Sequence, residues 1–262
     1  MCPVGGRLLN RHGRFCCHVL AIETEQGLVL VDTALGIEAM AALEAWTSTP
    51  FVRVVRPEPD EARTALRQLE ALGFSATDVR HVIITHLDLD HAGGLADFPA
   101  AEVHLLADEH AAAMAPVSKR DRERYNARQW EHGPHWRLHR PRGERWYGFE
   151  AVRDLPGLPP EILLVPLPGH TLGHTGVAVD VGSRWLFHAG DAYMHHEEIL
   201  RPHGGPLALR VVEHVEAVDA VGRRANLARL HDLVAGGDEG MSVFCAHDPD
   251  DFERLRSHRD AG

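Results

Sequence analysis

A buried-strand signal that runs straight into a cluster of imidazoles and carboxylates constrains this chain more than any other feature. Val82-Ile83-Ile84 is β-branched and apolar, the composition of a strand buried on both faces. Within the next seven residues come His86, Asp88, Asp90 and His91, followed by Gly93-Gly94. The donors sit at the strand's C-terminal end, and the glycines permit a tight turn into a helix, so a short loop can aim several side chains at one point. If the segment stays extended, alternation sets His86, Asp88 and Asp90 on one side and Leu87 and Leu89 on the other. Imidazole and carboxylate are borderline to hard donors, which suits zinc, iron or manganese. The bland alternative is a helix N-terminus, with Asp88 or Asp90 capping and the histidines solvated. Taken together, the run points to a metal-centred hydrolase.

Composition removes several other functions. The chain has 262 residues, 44% hydrophobic and 25% charged, which is ordinary for a soluble globular protein able to bury a real core. A formal net charge of −11 argues against a general nucleic-acid-binding face. No charged start followed by a long apolar stretch opens the chain, and no segment reaches the length of a membrane span. The expectation is therefore a cytoplasmic protein acting on a small-molecule substrate, with neither nucleic acid nor membrane as partner and its oligomeric state open. Cys2, Cys16, Cys17 and Cys245 show no CxxC spacing, so buried reduced thiols are expected rather than a disulfide framework. Most of the 20 histidines, such as His139 and His258, lie in charged stretches and read as solvated.

Strands and helices alternate along the chain. Segments 18–24 and 28–32 flank a Glu25-Gln26-Gly27 turn and read as a β-hairpin. Ile37 to Trp46 and Asp60 to Leu72 carry helical spacing, the second stopping at Gly73. Val103 to Leu106 reads as a strand and Asp108 to Ala115 as a helix. The second half repeats the mixture, with strands at Ile162 to Pro166, Gly176 to Asp180, Trp185 to His188 and Val243 to Cys245, a helix over about 212–234, and another near Asp251. The stretch Pro116 to Pro160 breaks the rhythm. Through Asp154 it holds ten Lys/Arg against six Asp/Glu, with Trp130, Trp136 and Trp146. It reads either as a cationic, aromatic lid over a site or as an amphipathic helix pair packed on the surface.

More donors follow at strand ends. His170 and His174 lie in the Gly-rich turn Pro168-Gly169-His170-Thr171-Leu172-Gly173-His174, Asp191 follows Phe187-His188-Ala189-Gly190, and His247 follows Phe244-Cys245-Ala246. Each alone is weak. Together with the first run they resemble the metallo-β-lactamase-fold hydrolase superfamily, whose pattern is HxHxDH, a distant His, a bridging Asp and a last His. The resemblance spans Asp32 to His247. It implies an α+β fold, a four-layer αβ/βα sandwich forming a single domain over 1–262, with a lid or insertion at 116–160. It also implies two divalent metal ions, zinc first, with iron or manganese as alternatives. One would take His86, Asp88 and His170, the other Asp90, His91 and His247, with Asp191 bridging. Asp32, in Val31-Asp32-Thr33, matches the family's early Asp-Thr turn and would orient ligands, as would His174. The second motif position, usually His, is Asp88 here, a change that adds negative charge and favours iron or manganese relative to zinc.

The implied chemistry is hydrolysis of an ester, lactone or thioester by a metal-bridging hydroxide, since paired cations lower the pKa of water from roughly 15.7 to about 7. Asp90 would orient the water or pass a proton to the leaving group. Tyr193 either contacts a substrate oxygen, as a nearby tyrosine does in the lactone-hydrolysing branch, or simply packs. Cys-ligated β-lactamases carry Cys where Asp191 falls, glyoxalase-type thioesterases add a C-terminal helical domain, and the RNA-processing branch needs a basic arm. A compact lactonase-like hydrolase remains. The rival readings are a diiron redox protein handling oxygen or NO, prompted by Asp88, a phosphodiesterase of the same fold, and a non-catalytic metal-binding module.

Overall fold

The structure is a computed structural model that describes residues 4–8, 11–47, 56–152, 155–201, 203–238 and 240–257. Cys2 lies outside these residues. The chain divides into two compact units, 1–139 and 140–262.

In the first unit, strands β1 (Val4–Leu8) and β2 (Arg11–Phe15) form an antiparallel hairpin. A five-stranded sheet follows, in the order β3 (Leu20–Thr24), β4 (Gly27–Val31), β5 (Val79–Ile83), β6 (Glu102–Leu106) and β7 (His135–His139). The β3–β4 pair is the expected hairpin and is antiparallel; every later pairing is parallel. Gly27 closes the hairpin with φ +122°, where an added Cβ would lie 2.8 Å from the Asp78 carbonyl oxygen. Leu28, Leu30, Val82, Val103 and Leu105 present one face to Leu66, Leu69, Leu95 and Phe98 in a single apolar cluster. That burial drives the unit together, at roughly 25 cal/mol per Å² of apolar surface removed from water.

The helices here are shorter than periodicity suggests. The expected 37–46 helix is two pieces, Ile37–Ala41 and Leu43–Trp46, separated by Ala42 at φ −146°. The expected 60–72 helix begins as a 3₁₀ turn, Glu61–Arg63, and becomes α-helical over Ala65–Ala71 after Thr64, whose hydroxyl accepts from the Arg67 N–H. Gly73 stops it with φ +91°. The Ala-rich helix runs over Ala107–Met114.

The second unit holds the antiparallel pair β8 (Glu144–Trp146) and β9 (Phe149–Ala151), joined through Tyr147 and Gly148 at φ +47° and +81°. Its main sheet has the order β10 (Ile162–Pro166), β11 (Thr175–Asp180), β12 (Trp185–His188), β13 (Met241–Phe244), antiparallel except for the β12–β13 pair. Leu163, Val165, Ala178, Phe187, Val243 and Cys245 pack with Trp146, Phe149 and Leu230. The expected 212–234 helix is two, Leu207–Glu216 and Ala220–Ala235. The break has a cause. The Val218 and Asp219 N–H groups donate to the His170 and Gly169 carbonyls at 3.0 and 2.9 Å, and the Asp219 carboxylate accepts from Val221 and Gly222 to start the next helix. Helices Glu197–Leu200 and Pro249–Ser257 complete the unit.

Residues 116–160 are divided between the two units. Their described residues contain a short α-helix, Lys119–Arg124, a 3₁₀ turn over Ala127–Trp130, the edge strand β7 of the first sheet, and the β8–β9 pair of the second unit. Cys16, Cys17 and Cys245 are buried thiols outside any disulfide. Among the described residues no helix is long and apolar enough to cross a membrane.

Candidate metal centre

In the first unit the donors do not follow one extended segment. Strand β5 ends at Ile83, Asp88 occupies the N-cap position with extended backbone, and a short helix starts immediately, Leu89–Ala92. Asp90 and His91 are therefore helical, and the expected alternation through Asp90 ends at Asp88. Leu87 is wholly buried in the apolar cluster, which turns the flanking His86 and Asp88 the other way. His86 Nε2 lies 3.4 Å from Asp88 Oδ2, and the His86 and His91 rings approach to 4.0 Å between centroids. His91 Nε2 is 3.9 Å from Asp90 Oδ1, and the Asp90 side chain is 28% exposed.

A hydrogen-bond chain fixes which nitrogen each imidazole presents. Asp32, held at φ +59°, accepts from the Thr85 N–H and the Thr85 hydroxyl, both at 2.8 Å. The hydroxyl has thereby spent its proton, so at 3.0 Å it accepts from His86 Nδ1–H. The second Asp32 oxygen contact, at 2.8 Å, takes the Nδ1–H of His91. Both rings are left with the lone pair on Nε2, the tautomer a metal ligand needs. Asp32 thus takes the orienting position expected from its Asp-Thr turn. The same turn is tied down by Thr33, whose N–H and hydroxyl both donate to the His91 carbonyl at 2.7 and 2.9 Å.

Three partners escaped sequence reasoning. Arg124 Nε lies 3.1 Å from Asp88 Oδ1, and both side chains are largely buried, at 7% and 16% exposure. The carboxylate that departs from the family's histidine therefore comes with a guanidinium, and the pair carries the same net charge as a neutral imidazole. Glu109 and Gln129, both wholly buried, clamp the peptide between the donors: Glu109 accepts from the Leu87 N–H at 2.9 Å, and Gln129 donates to the Leu87 carbonyl at 3.3 Å. Tyr125 donates to the same Glu109 at 3.2 Å, and burial together with that carboxylate pushes the phenol well above its usual range. No sequence signal singles out Glu109, which follows Asp108 in the first turn of its helix.

In the second unit His170, Asp191 and His247 follow β10, β12 and β13. All three are buried, and two imidazoles converge on one carboxylate: His247 Nε2 is 3.2 Å from Asp191 Oδ2 and His170 Nε2 is 3.6 Å from the same oxygen. His174 is no donor to this cluster, because both its nitrogens are engaged. The Asp191 N–H donates to Nε2 at 2.8 Å, so Nδ1–H donates to the Leu167 carbonyl at 2.9 Å. The ring thereby links the end of β10 to the Asp191 backbone, the supporting part expected of it. Gly169, at φ +147°, lets the His170 loop lie against the Ala220–Ala235 helix; an added Cβ would sit 2.4 Å from the Arg223 nitrogen.

Tyr193 does not join the donors. It is fully buried among Phe187, Ile199 and Cys245, and its hydroxyl donates to Asp251 at 3.4 Å, with burial raising its pKa far above 10. The packing alternative describes this position. His196 donates to Asp248 at 2.7 Å. Burial pushes the Asp248 carboxyl up, but the His196 and Asp250 N–H groups outweigh it and hold the group below its usual range.

The donor chemistry of each unit fits a divalent metal. Imidazole Nε2 atoms, in the lone-pair tautomer at His86 and His91, stand beside carboxylates, mostly buried, in the nitrogen and oxygen mixture that zinc, iron and manganese accept.

Comparison with known proteins agrees. The profile described as the metallo-beta-lactamase superfamily matches residues 13–229. A Mycobacterium tuberculosis protein named "probable metallo-hydrolase" is 43% identical over 240 residues, 92% of this chain and 77% of that protein. An N-acyl homoserine lactonase of Bacillus thuringiensis is 27% identical over 175 residues, 67% of this chain and 61% of that one. Among solved structures, an N-acyl homoserine lactone hydrolase with N-hexanoyl-L-homoserine bound at its catalytic metal centre has a TM-score of 0.71 at 21% identity, covering 97% of this chain and 92% of its own. A dizinc quorum-quenching lactonase, AidC, gives 0.62 at 20% identity, covering 91% and 74%. At these identities the structural likeness is one of fold.

Proposed function

This chain is a metal-dependent hydrolase belonging to the metallo-β-lactamase superfamily, and on that premise we propose that His86, Asp88, Asp90, His91, His170, Asp191 and His247 act as one ligand set for two divalent ions in a hydrolase that opens lactones or related esters. His86, Asp88 and His170 would hold one ion, Asp90, His91 and His247 the other, and Asp191 both. The observation that supports the reading is the Asp191 carboxylate with two imidazole Nε2 atoms converging on it, at 3.2 and 3.6 Å. Bound ions supply Lewis acidity, activating water near neutral pH and polarising the carbonyl.

The remaining work falls to the chain's own groups. Asp32 holds His91 and, through Thr85, His86 in the tautomer that leaves Nε2 available. Arg124 neutralises Asp88, so the anionic donor does not raise the site's net negative charge. Asp90, the more exposed carboxylate of the run, would take a proton from the attacking water and deliver it to the departing alkoxide as the acyl carbon–oxygen bond breaks. The lactone preference rests on the lactonase relatives alone. The test is a panel of acyl-homoserine lactones, simple lactones, thioesters, phosphodiesters and β-lactams, run on zinc-, iron- and manganese-loaded protein. Lactone turnover abolished by chelation is expected. Turnover of phosphodiesters alone, or of nothing, contradicts the proposal.

A further inference from the structure

The face of the first sheet opposite its apolar cluster carries a line of three histidines, one from each of three adjacent strands. Strands β5, β6 and β7 run parallel, and in their register Ile83 stands beside His104 and Leu106 beside His139. Two-residue alternation then puts His81, His104 and His139 on one face, each displaced by two positions from its neighbour. His81 Nδ1 lies 3.0 Å from His104 Nε2, and His104 Nδ1 lies 3.0 Å from His139 Nε2. All three are buried, at 8%, 0% and 8% exposure.

Burial depresses the basicity of each ring, that of His104 to about 3, helped there by its two neighbours. At neutral pH the rings are uncharged, and each nitrogen–nitrogen gap is bridged by a single proton. Glu102, beside His81 in the register, adds a carboxylate 3.9 Å from His81 Nδ1. One donor atom each from His81, Glu102 and His104 lies within 4.8 Å of the other two. Arg137 binds the same carboxylate and keeps it ionised, holding its pKa below the usual range.

Two nitrogens of neutral imidazoles and an anionic oxygen around one gap suit a borderline divalent cation, which takes the place of the proton between the rings while each ring keeps one proton on its other nitrogen. We propose that His81 Nδ1, His104 Nε2 and the Glu102 carboxylate form an accessory binding site for a zinc-class divalent ion, separate from the seven donors above. Once Nε2 of His104 is ligated, its Nδ1 carries the proton and donates to His139 Nε2. His139 is thereby the positioning residue that fixes the ligand's tautomer. The bound ion ties β5 to β6, and through His139 to the edge strand β7, so occupancy stabilises the first sheet rather than serving hydrolysis.

The test uses the full-length, metal-loaded protein, with His81→Gln and Glu102→Gln compared at micromolar free zinc. Elemental analysis is expected to find one more zinc equivalent in the parent protein than in His81→Gln, with lactone or other hydrolase turnover the same in both. Zinc titration of Glu102→Gln is expected to show that extra equivalent bound at least about tenfold more weakly. Excess zinc should raise the melting temperature of the parent protein and not that of His81→Gln. Equal zinc content in the parent and a folded His81→Gln overturns the proposal. If His81→Gln does not fold, unchanged zinc affinity in Glu102→Gln overturns it instead.

Discussion

The two units reach a similar donor chemistry by opposite routes. In the first, four donors lie within six residues, and side-chain partners set their directions: Asp32 and Thr85 behind the imidazoles, Arg124 on Asp88, Glu109 and Gln129 around Leu87. In the second, His170, Asp191 and His247 are far apart in the chain, and backbone bonds place them. The His174 ring holds the Asp191 N–H, the Ala246 N–H donates to the Gly190 carbonyl at 3.1 Å, and the break between two helices holds the Gly169 and His170 carbonyls. A contiguous cluster needs polar side chains to orient it, because the backbone is too short to do so. A dispersed cluster is oriented by sheet register and turns.

That contrast can be broken experimentally. The largest effect belongs to the residue proposed to serve both ions. Asp191→Ala should cut kcat/KM by about a thousandfold or more and lower bound metal by at least half; a loss under tenfold would remove Asp191 from the ligand set. Next come one orienting residue from each unit. Asp32→Asn withdraws the acceptor that fixes both imidazole tautomers and should weaken metal binding about 10–100-fold with little change in melting temperature. Gly169→Ala should do the reverse. A strained φ of +147° and a Cβ 2.4 Å from the Arg223 nitrogen should cost about 1–3 kcal/mol of stability in thermal unfolding. Equal stability losses in the two variants would erase the distinction.

A smaller effect separates charge from geometry at Asp88. Arg124→Met removes the guanidinium 3.1 Å from Asp88 Oδ1, and Asp88→His removes that carboxylate from beside Arg124. Asp88→His alone should lower metal affinity about tenfold, because it sets the Arg124 charge near the cation with no carboxylate at residue 88, whereas adding Arg124→Met should recover most of the loss and shift preference toward zinc. Additive losses, read by competitive metal titration, would show that the pair is not coupled.

The smallest effect concerns the scaffold under the first cluster. Asp97 accepts from the Ile37 N–H at 3.1 Å, and burial pushes its carboxyl up to about 6. The native state therefore binds the proton more tightly than the unfolded chain. This contribution is fully present below about pH 4 and is lost as pH rises through 6. Asp97→Asn should gain on the parent protein over that window and hold a constant advantage of about 1–2 kcal/mol above pH 7, measured by denaturant unfolding. A gain that appears only on acidification would reverse the sign and refute the assignment.

Much of this was legible in the sequence, and the exceptions share a cause. Apolar strands ending in donors gave β5, β10, β12 and β13 and the positions of all seven candidate ligands. Helix lengths were overestimated at Ala42, Thr64 and 217–219, because periodicity registers apolar spacing and not the caps and carbonyls that interrupt a helix. Asp88 was read as an unbalanced charge because Arg124 is 36 residues away with no pattern joining them. His139 was read as solvated, and its neighbours His81 and His104 went unremarked, since only the register of three parallel strands brings their nitrogens to 3.0 Å. Contacts made by register or by distant side chains leave no local trace.

The most direct test of the paired-metal account is anomalous X-ray scattering from crystals of the zinc-loaded protein. The account predicts two strong peaks roughly 3.5–4 Å apart, both within bonding distance of the Asp191 carboxylate, one near His86, Asp88 and His170 and the other near Asp90, His91 and His247. A single peak, or peaks out of reach of Asp191, would contradict it.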